Sequence, residues 1–114
     1  MTSGLRTVIY PVKDLEQAKA LYGELMGGEP FVDEAYYVGF RVGDQQLGLD
    51  PNGHKQGLAA PINYWEVDDI EESLKRLVAA GAEEHQPIRD VGGGKLIASV
   101  KDADGNVTGL AQSP

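Results

Sequence analysis

Residues 12–22 read Val-Lys-Asp-Leu-Glu-Gln-Ala-Lys-Ala-Leu-Tyr, and residues 67–77 read Val-Asp-Asp-Ile-Glu-Glu-Ser-Leu-Lys-Arg-Leu. Val12, Asp14 and Glu16 recur as Val67, Asp69 and Glu71, and Leu15 recurs as Ile70. Self-similarity at a fixed offset marks a duplicated structural unit. In a chain of 114 residues, this offset makes the whole sequence two similar halves, about 5–50 and 61–112, joined by a linker near 51–60.

Each half begins with an alternating strand, Leu5–Val12 or Pro61–Val67, that ends where a helix starts. Asp14 and Asp69 are natural N-caps, because a short carboxylate accepts from the orphan amides of the first turn. Apolar spacing then predicts a helix with Leu15, Ala18, Leu21, Tyr22 and Leu25 on one side, and a second with Ile70, Leu74, Leu77 and Val78. Gly27-Gly28 and Gly81 stop them. Three short β-rich runs follow each helix: Pro30–Glu34, Tyr36–Val42 and Gln45–Asp50, then Glu83–Ile88, Lys95–Lys101 and Asn106–Ala111. Gly43-Asp44 and Asp104-Gly105-Asn106 supply turns. The reading is α+β: tandem βαβββ modules forming one domain, a curved mixed sheet with helices on one face and a concave pocket on the other. Val8, Tyr10, Val12, Trp65 and Val67 should face the helices. Thr7, Ile9, Ile62, Tyr64 and Glu66 should face away.

Composition narrows the chemistry. The formal net charge is −8. With no local run of Lys or Arg, that balance repels a phosphate backbone and argues against a nucleic-acid partner. The chain has no Cys, which excludes thiol nucleophiles, Cys-ligated zinc and disulfides. His54 and His85 are the two histidines. No window approaches the length of a bilayer span, and the first residues lack the pattern of a secretory signal, so the expectation is a cytoplasmic protein without membrane partners. Gly92-Gly93-Gly94 lacks the Lys-Ser/Thr and helix that a phosphate loop needs, and reads as a hairpin loop.

The tandem βαβββ order, the two matching helix starts and the closing Lys101-Asp102-Ala103-Asp104-Gly105-Asn106-Val107-Thr108-Gly109-Leu110 resemble the vicinal oxygen chelate superfamily. It contains glyoxalase I, extradiol dioxygenases, fosfomycin-modifying proteins and bleomycin resistance proteins. The resemblance covers about residues 5–112. Metal-using members place His, Glu or Gln on the first and last strands of each half. The matching positions here are Thr7, Gly48, Ile62 and Gly109, which offer no strong donor. The resemblance therefore implies the metal-independent, bleomycin-resistance-like branch: no cofactor, a small organic molecule bound in the sheet pocket, and a homodimer.

The candidate ligand-binding residues are Thr7, Tyr37, Arg41, Gln46, Gly48, Asp50, Ile62, Tyr64, Glu66 and Gly109. Gly48 and Gly109 either open room for a ligand or mark close packing. Arg41 either meets the ligand or pairs with Asp50 or Glu66. An alternative is a metal-independent lyase, isomerase or hydrolase with Glu66 or His54 as acid–base group, His54 riding on a lid formed by the linker. A further alternative is a metalloenzyme with rearranged ligands from His54, Glu66 and Asp50. His85 reads as a surface residue at a strand start, and Trp65 as core beneath the helices.

Overall fold

The computed structural model describes residues 2–56 and 60–114. Along the chain run β1 (Thr2–Pro11), α1 (Leu15–Met26), β2 (Val32–Glu34), β3 (Tyr37–Val42), β4 (Gln45–Asp50), a 3-10 turn (His54–Gln56), β5 (Ile62–Val67), α2 (Ile70–Ala79), β6 (Glu83–Asp90), β7 (Leu96–Lys101) and β8 (Val107–Gln112). This is βαβββ twice, the α+β order expected from the repeat. β1 starts earlier than Leu5, where the Thr2 hydroxyl donates to the carbonyl of Glu66 at 2.6 Å. The first three residues of β1 lack apolar alternation, so their pairing left no pattern to read.

The chain forms two compact units, Arg6–Ile62 and residues 2–5 with Asn63–Pro114. In the first unit the strand order is β2-β3-β4-β1, with β3 antiparallel to both neighbours and β1 parallel to β4. In the second it is β5-β8-β7-β6, with β5 parallel to β8 and the other pairs antiparallel.

Both helices start as their caps dictate. The Asp14 carboxylate accepts from the Gln17 amide at 3.0 Å, and that of Asp69 from the Glu72 amide at 3.1 Å. The Gln112 side chain accepts from the Ile70 amide at 2.7 Å, satisfying another orphan donor of α2. α1 ends on Gly27 in the left-handed region (φ 72°), whose amide bonds back to Gly23.

In the first unit Val38, Phe40 and Leu49 are fully buried, and Tyr10, Val12, Leu15, Ala18, Tyr22 and Met26 pack against them. Tyr10 and Tyr22 meet edge to face at 5.3 Å. In the second, Val67, Ile70, Ala98 and Leu110 are buried, with Trp65, Leu74 and Leu77 against them. Trp65 is thus core beneath α2. The stripe of α1 is a correction: Leu21 and Leu25 are 63% and 75% exposed. Leu15, Ala18, Tyr22 and Met26 recur within one turn's drift of a single line, whereas Leu21 and Leu25 lie roughly 65–105° around the helix. The Tyr10–Tyr22 contact and the Lys19–Asp33 ion pair at 2.7 Å hold α1 in that orientation.

Candidate functional site

In the first unit, strand parity puts one set of candidates together. Val38 and Phe40 lie in the core under α1, so Tyr37, Gly39 and Arg41 face away from the helix. Leu47 and Leu49 likewise send Gln46, Gly48 and Asp50 to that far face, and Tyr10 sends Thr7 and Ile9 there. The register completes the arrangement. Arg41 pairs with Gln46, and Gln46 with Thr7, as one row across three strands; Gly39, Gly48 and Ile9 form the next row.

The two strand glycines settle the choice between open room and close packing. A Cβ on Gly48 would lie within 2.6 Å of the Tyr37 hydroxyl oxygen and Cζ and of Ile9 Cδ1. A Cβ on Gly109 would lie within 2.7 Å of Cγ, Cδ1 and Cε1 of Tyr64. Carbon atoms in contact need about 3.5–4.0 Å. Each glycine is therefore the floor under an aromatic ring, not the floor of a vacancy. Tyr64 is 9% exposed and pairs directly with Gly109, whereas Tyr37 is half-buried and reaches Gly48 from the neighbouring strand.

Sequence reasoning missed Phe31. Its ring lies against Gly39, where a Cβ would be 3.1 Å from Phe31 Cε1, and the Arg41 guanidinium sits 4.1 Å from the Phe31 ring centroid. Gly39, alone between large side chains of β3, was the available signal. Of the two expectations for Arg41, the ion pair with Asp50 is absent: the guanidinium lies against Phe31, and among the described residues no carboxylate of its unit lies within ion-pairing distance of it. The Asp50 carboxylate instead accepts from the Asn52 amide at 2.8 Å, closing the turn that follows β4. Gly53 packs on Pro11 in that turn. His54 is exposed in the 3-10 turn beyond it, and the remainder of the lid expectation, at 57–59, lies outside the described residues. Ile62 is buried at the end of the first unit.

In the second unit the Glu66 carboxylate accepts from both the amide and the hydroxyl of Ser113, so it anchors the chain beyond β8. His85 is a second correction. A register shift in β6 between Glu84 and Gln86 turns its ring inward, and Nδ1 lies 3.1 Å from the hydroxyl of Ser99, which is 1% exposed. Ser99 pairs with Gly109, and Gly109 with Tyr64. With the hydroxyl fully buried, the Ser99–His85 contact serves to satisfy a polar group in the interior and gives a substrate no approach.

Elsewhere in the first unit, a hollow of about 360 Å³ lies on the helix side, between Lys19, Gly23, Glu24, Gly27 and Pro30, with Phe40 beneath. It is not on the face that the sequence singled out. Among the described residues, no three of His, Asp and Glu converge as a metal-binding group, and no helix is long and apolar enough to cross a membrane.

The sequence pattern of the Glyoxalase/Bleomycin resistance protein/Dioxygenase superfamily matches residues 4–110, and the chain belongs to that superfamily. No curated protein sequence matches it. Among solved structures it is similar to a NAD-dependent benzaldehyde dehydrogenase from Legionella pneumophila (14% identity, TM-score 0.74, 95% of this chain and 98% of that one). It is also similar to methylmalonyl-CoA epimerase from Mycobacterium tuberculosis (18%, 0.73, 99% and 90%). The Mn(II)-bound glyoxalase from Novosphingobium aromaticivorans matches at 20% identity and TM-score 0.72, over 97% of this chain and 39% of that one. At these identities the likeness is one of fold, and a fold that hosts such different proteins leaves function to the site.

Proposed function

We propose that the chain is a metal-independent member of its superfamily that binds a small organic molecule on the sheet face opposite α1. The observation that carries this reading is the filling of the two strand-glycine positions. The resemblance would place metal ligands at Thr7, Gly48, Ile62 and Gly109. A neutral hydroxyl, two glycines and an isoleucine do not make a donor set for a divalent cation. Nor is there room to add donors at the glycines, since the Tyr37 and Tyr64 rings lie where those side chains would leave the strands. What the first unit does present on that face is suited to an organic ligand: aromatic surface from Phe31 and Tyr37, one cation at Arg41 and the polar end of Gln46, with Thr7 buried beside it.

The test pairs elemental analysis with thermal shift. Purified protein should hold metal well below stoichiometry, and its melting midpoint should not respond to chelator. A broad set of metabolites and antibiotics should contain stabilisers, because a ligand at 100 times its Kd stabilises the folded state by about 2.7 kcal/mol. Stoichiometric metal, with a midpoint that falls on chelation, would overturn the reading. The assembly proposed with it is a homodimer, for which sedimentation should return twice the 12.2 kDa of one chain.

A further inference from the structure

Arg41 is placed as a recognition group. Its guanidinium lies over the Phe31 ring, 4.1 Å from the centroid, on an exposed side chain that pairs with no carboxylate of its unit among the described residues. That contact restricts the side chain, so less rotamer entropy remains to be lost when its donors are engaged. Phe31 is itself held from below, because Gly39 gives its ring a flat seat on the strand. Beside Arg41 in the same row stand the amide of Gln46 and the hydroxyl of Thr7. At the spacing of adjacent strands the row spans about 10 Å. The next row, Gly39–Gly48–Ile9 with the Tyr37 ring upon it, is apolar and lies about 7 Å further along the strands.

Resting on the small-molecule reading above, we infer that this face selects an anion, and that its ligand is a compact aryl or other planar acid. The acid group meets Arg41 with Gln46, and the flat body lies over Ile9 and Tyr37. The 7 Å between the two rows matches the length of an aryl carboxylate. A bidentate guanidinium–carboxylate contact is planar, which selects flat acid groups over ammonium ions or neutral amides. The overall charge of −8 opposes an anion, but screening confines each charge to roughly 8 Å at physiological ionic strength, so the local cation governs the site. The two other carboxylates sent to this face by parity, Asp50 and Glu34, lie towards the opposite ends of β4 and β3 from Gln46 and Arg41, at the ligand's far end.

The experiment is a titration of 15N-labelled protein with benzoate, benzamide and benzylamine, for the native chain and Arg41→Gln, with circular dichroism to confirm that the variant folds. Benzoate should shift the amides of Thr7, Arg41, Gln46 and Gly48 saturably, and bind about tenfold or more tightly than benzamide, the margin expected of charged over neutral hydrogen bonding. Arg41→Gln should weaken benzoate the more and so remove that margin. Benzamide or benzylamine binding these amides as tightly as benzoate would overturn the anion assignment while leaving the small-molecule reading intact. Benzoate acting elsewhere, or acting here with equal strength on Arg41→Gln, would overturn it as well. If none of the three probes moves these amides, the reading of this face as a ligand site falls, and the inference with it.

Discussion

Gly109→Ala adds one methyl group to β8 at a place that is already occupied. The new carbon would stand within 2.7 Å of Cγ, Cδ1 and Cε1 of Tyr64, roughly an ångström inside the contact distance. Because Cγ is among the three, spinning the ring about its own axis cannot clear the methyl; the whole side chain must swing away. Tyr64 is 9% exposed, so there is little free space to receive it. Because the ring cannot clear the methyl in place, the clash costs the upper end of the usual range, about 3 kcal/mol, offset by about 0.5–1 kcal/mol from stiffening the unfolded chain, which leaves a net loss of about 2 kcal/mol. Gly48→Ala meets the hydroxyl oxygen and Cζ of Tyr37 and the end of Ile9, and it should cost less than Gly109→Ala because Tyr37 is only half-buried and Ile9 Cδ1 is the end of a flexible side chain.

The assay is urea unfolding of Gly109→Ala, Tyr64→Ala and the double variant. Tyr64→Ala alone should cost about 3 kcal/mol as a large buried ring is lost. In the double variant the methyl has room, so the total should stay near about 3 kcal/mol, giving a coupling of about −2 kcal/mol. Additivity within about 0.5 kcal/mol would refute the claim that the glycine exists to seat the ring. So would Gly48→Ala costing as much as Gly109→Ala.

Three further outcomes can be measured in the same way. His85→Ala should cost about 1–3 kcal/mol by leaving the buried Ser99 hydroxyl unpartnered, and adding Ser99→Ala should recover part of that loss. Asp14→Ala and Asp69→Ala should each cost about 1 kcal/mol as an N-cap is lost, read as a lowered urea midpoint at unchanged slope. The Asp102 carboxyl is held below the ordinary aspartate value by hydrogen bonds from the Asn106 side chain and amide and from the Asp104 amide. Its stabilisation is therefore fully present above that ordinary value and is lost as pH falls through the depressed one, so Asp102→Asn should destabilise at neutral pH and lose its effect in strong acid.

The repeat made the architecture legible because its signals are local. Asp14 and Asp69 cap helices through amides three residues away, and alternation in β3 and β4 assigns faces whatever those strands pair with. The site was only half legible because its contacts are not local. A strand glycine means either a gap or a seat for a ring, and only register decides which. Tyr64 reaches Gly109 because β5 pairs in parallel with a strand more than forty residues later. Arg41 was matched by charge to Asp50 or Glu66, yet it met Phe31, which precedes β2 and so carries no strand parity. His85 escaped because its exposure was read from its place at a strand start, whereas the register shift there brings it to the buried Ser99. Leu21 and Leu25 satisfied helical spacing nearly as well as Tyr22 and Met26, and the aromatic contact with Tyr10 chose between the two sides.

The duplication also shows where the halves parted. At the repeat offset Ile9 corresponds to Tyr64, and each is the direct partner of its unit's strand glycine. In the second unit the large ring stands on β5 itself, lies flat on Gly109 and is buried, with Ser99 and His85 closing the row beside it. In the first unit the end of Ile9 and the hydroxyl end of a half-buried Tyr37, reaching over from β3, share the cover of Gly48. Tyr64 presents Cγ, Cδ1 and Cε1 to its glycine and is buried, whereas Tyr37 presents Cζ and the hydroxyl oxygen and is half-buried. On the reading proposed above, one aliphatic-for-aromatic difference between the repeats makes one module structural and leaves the other able to accept a ligand. The Arg41–Gln46–Thr7 row stands in that second kind of module.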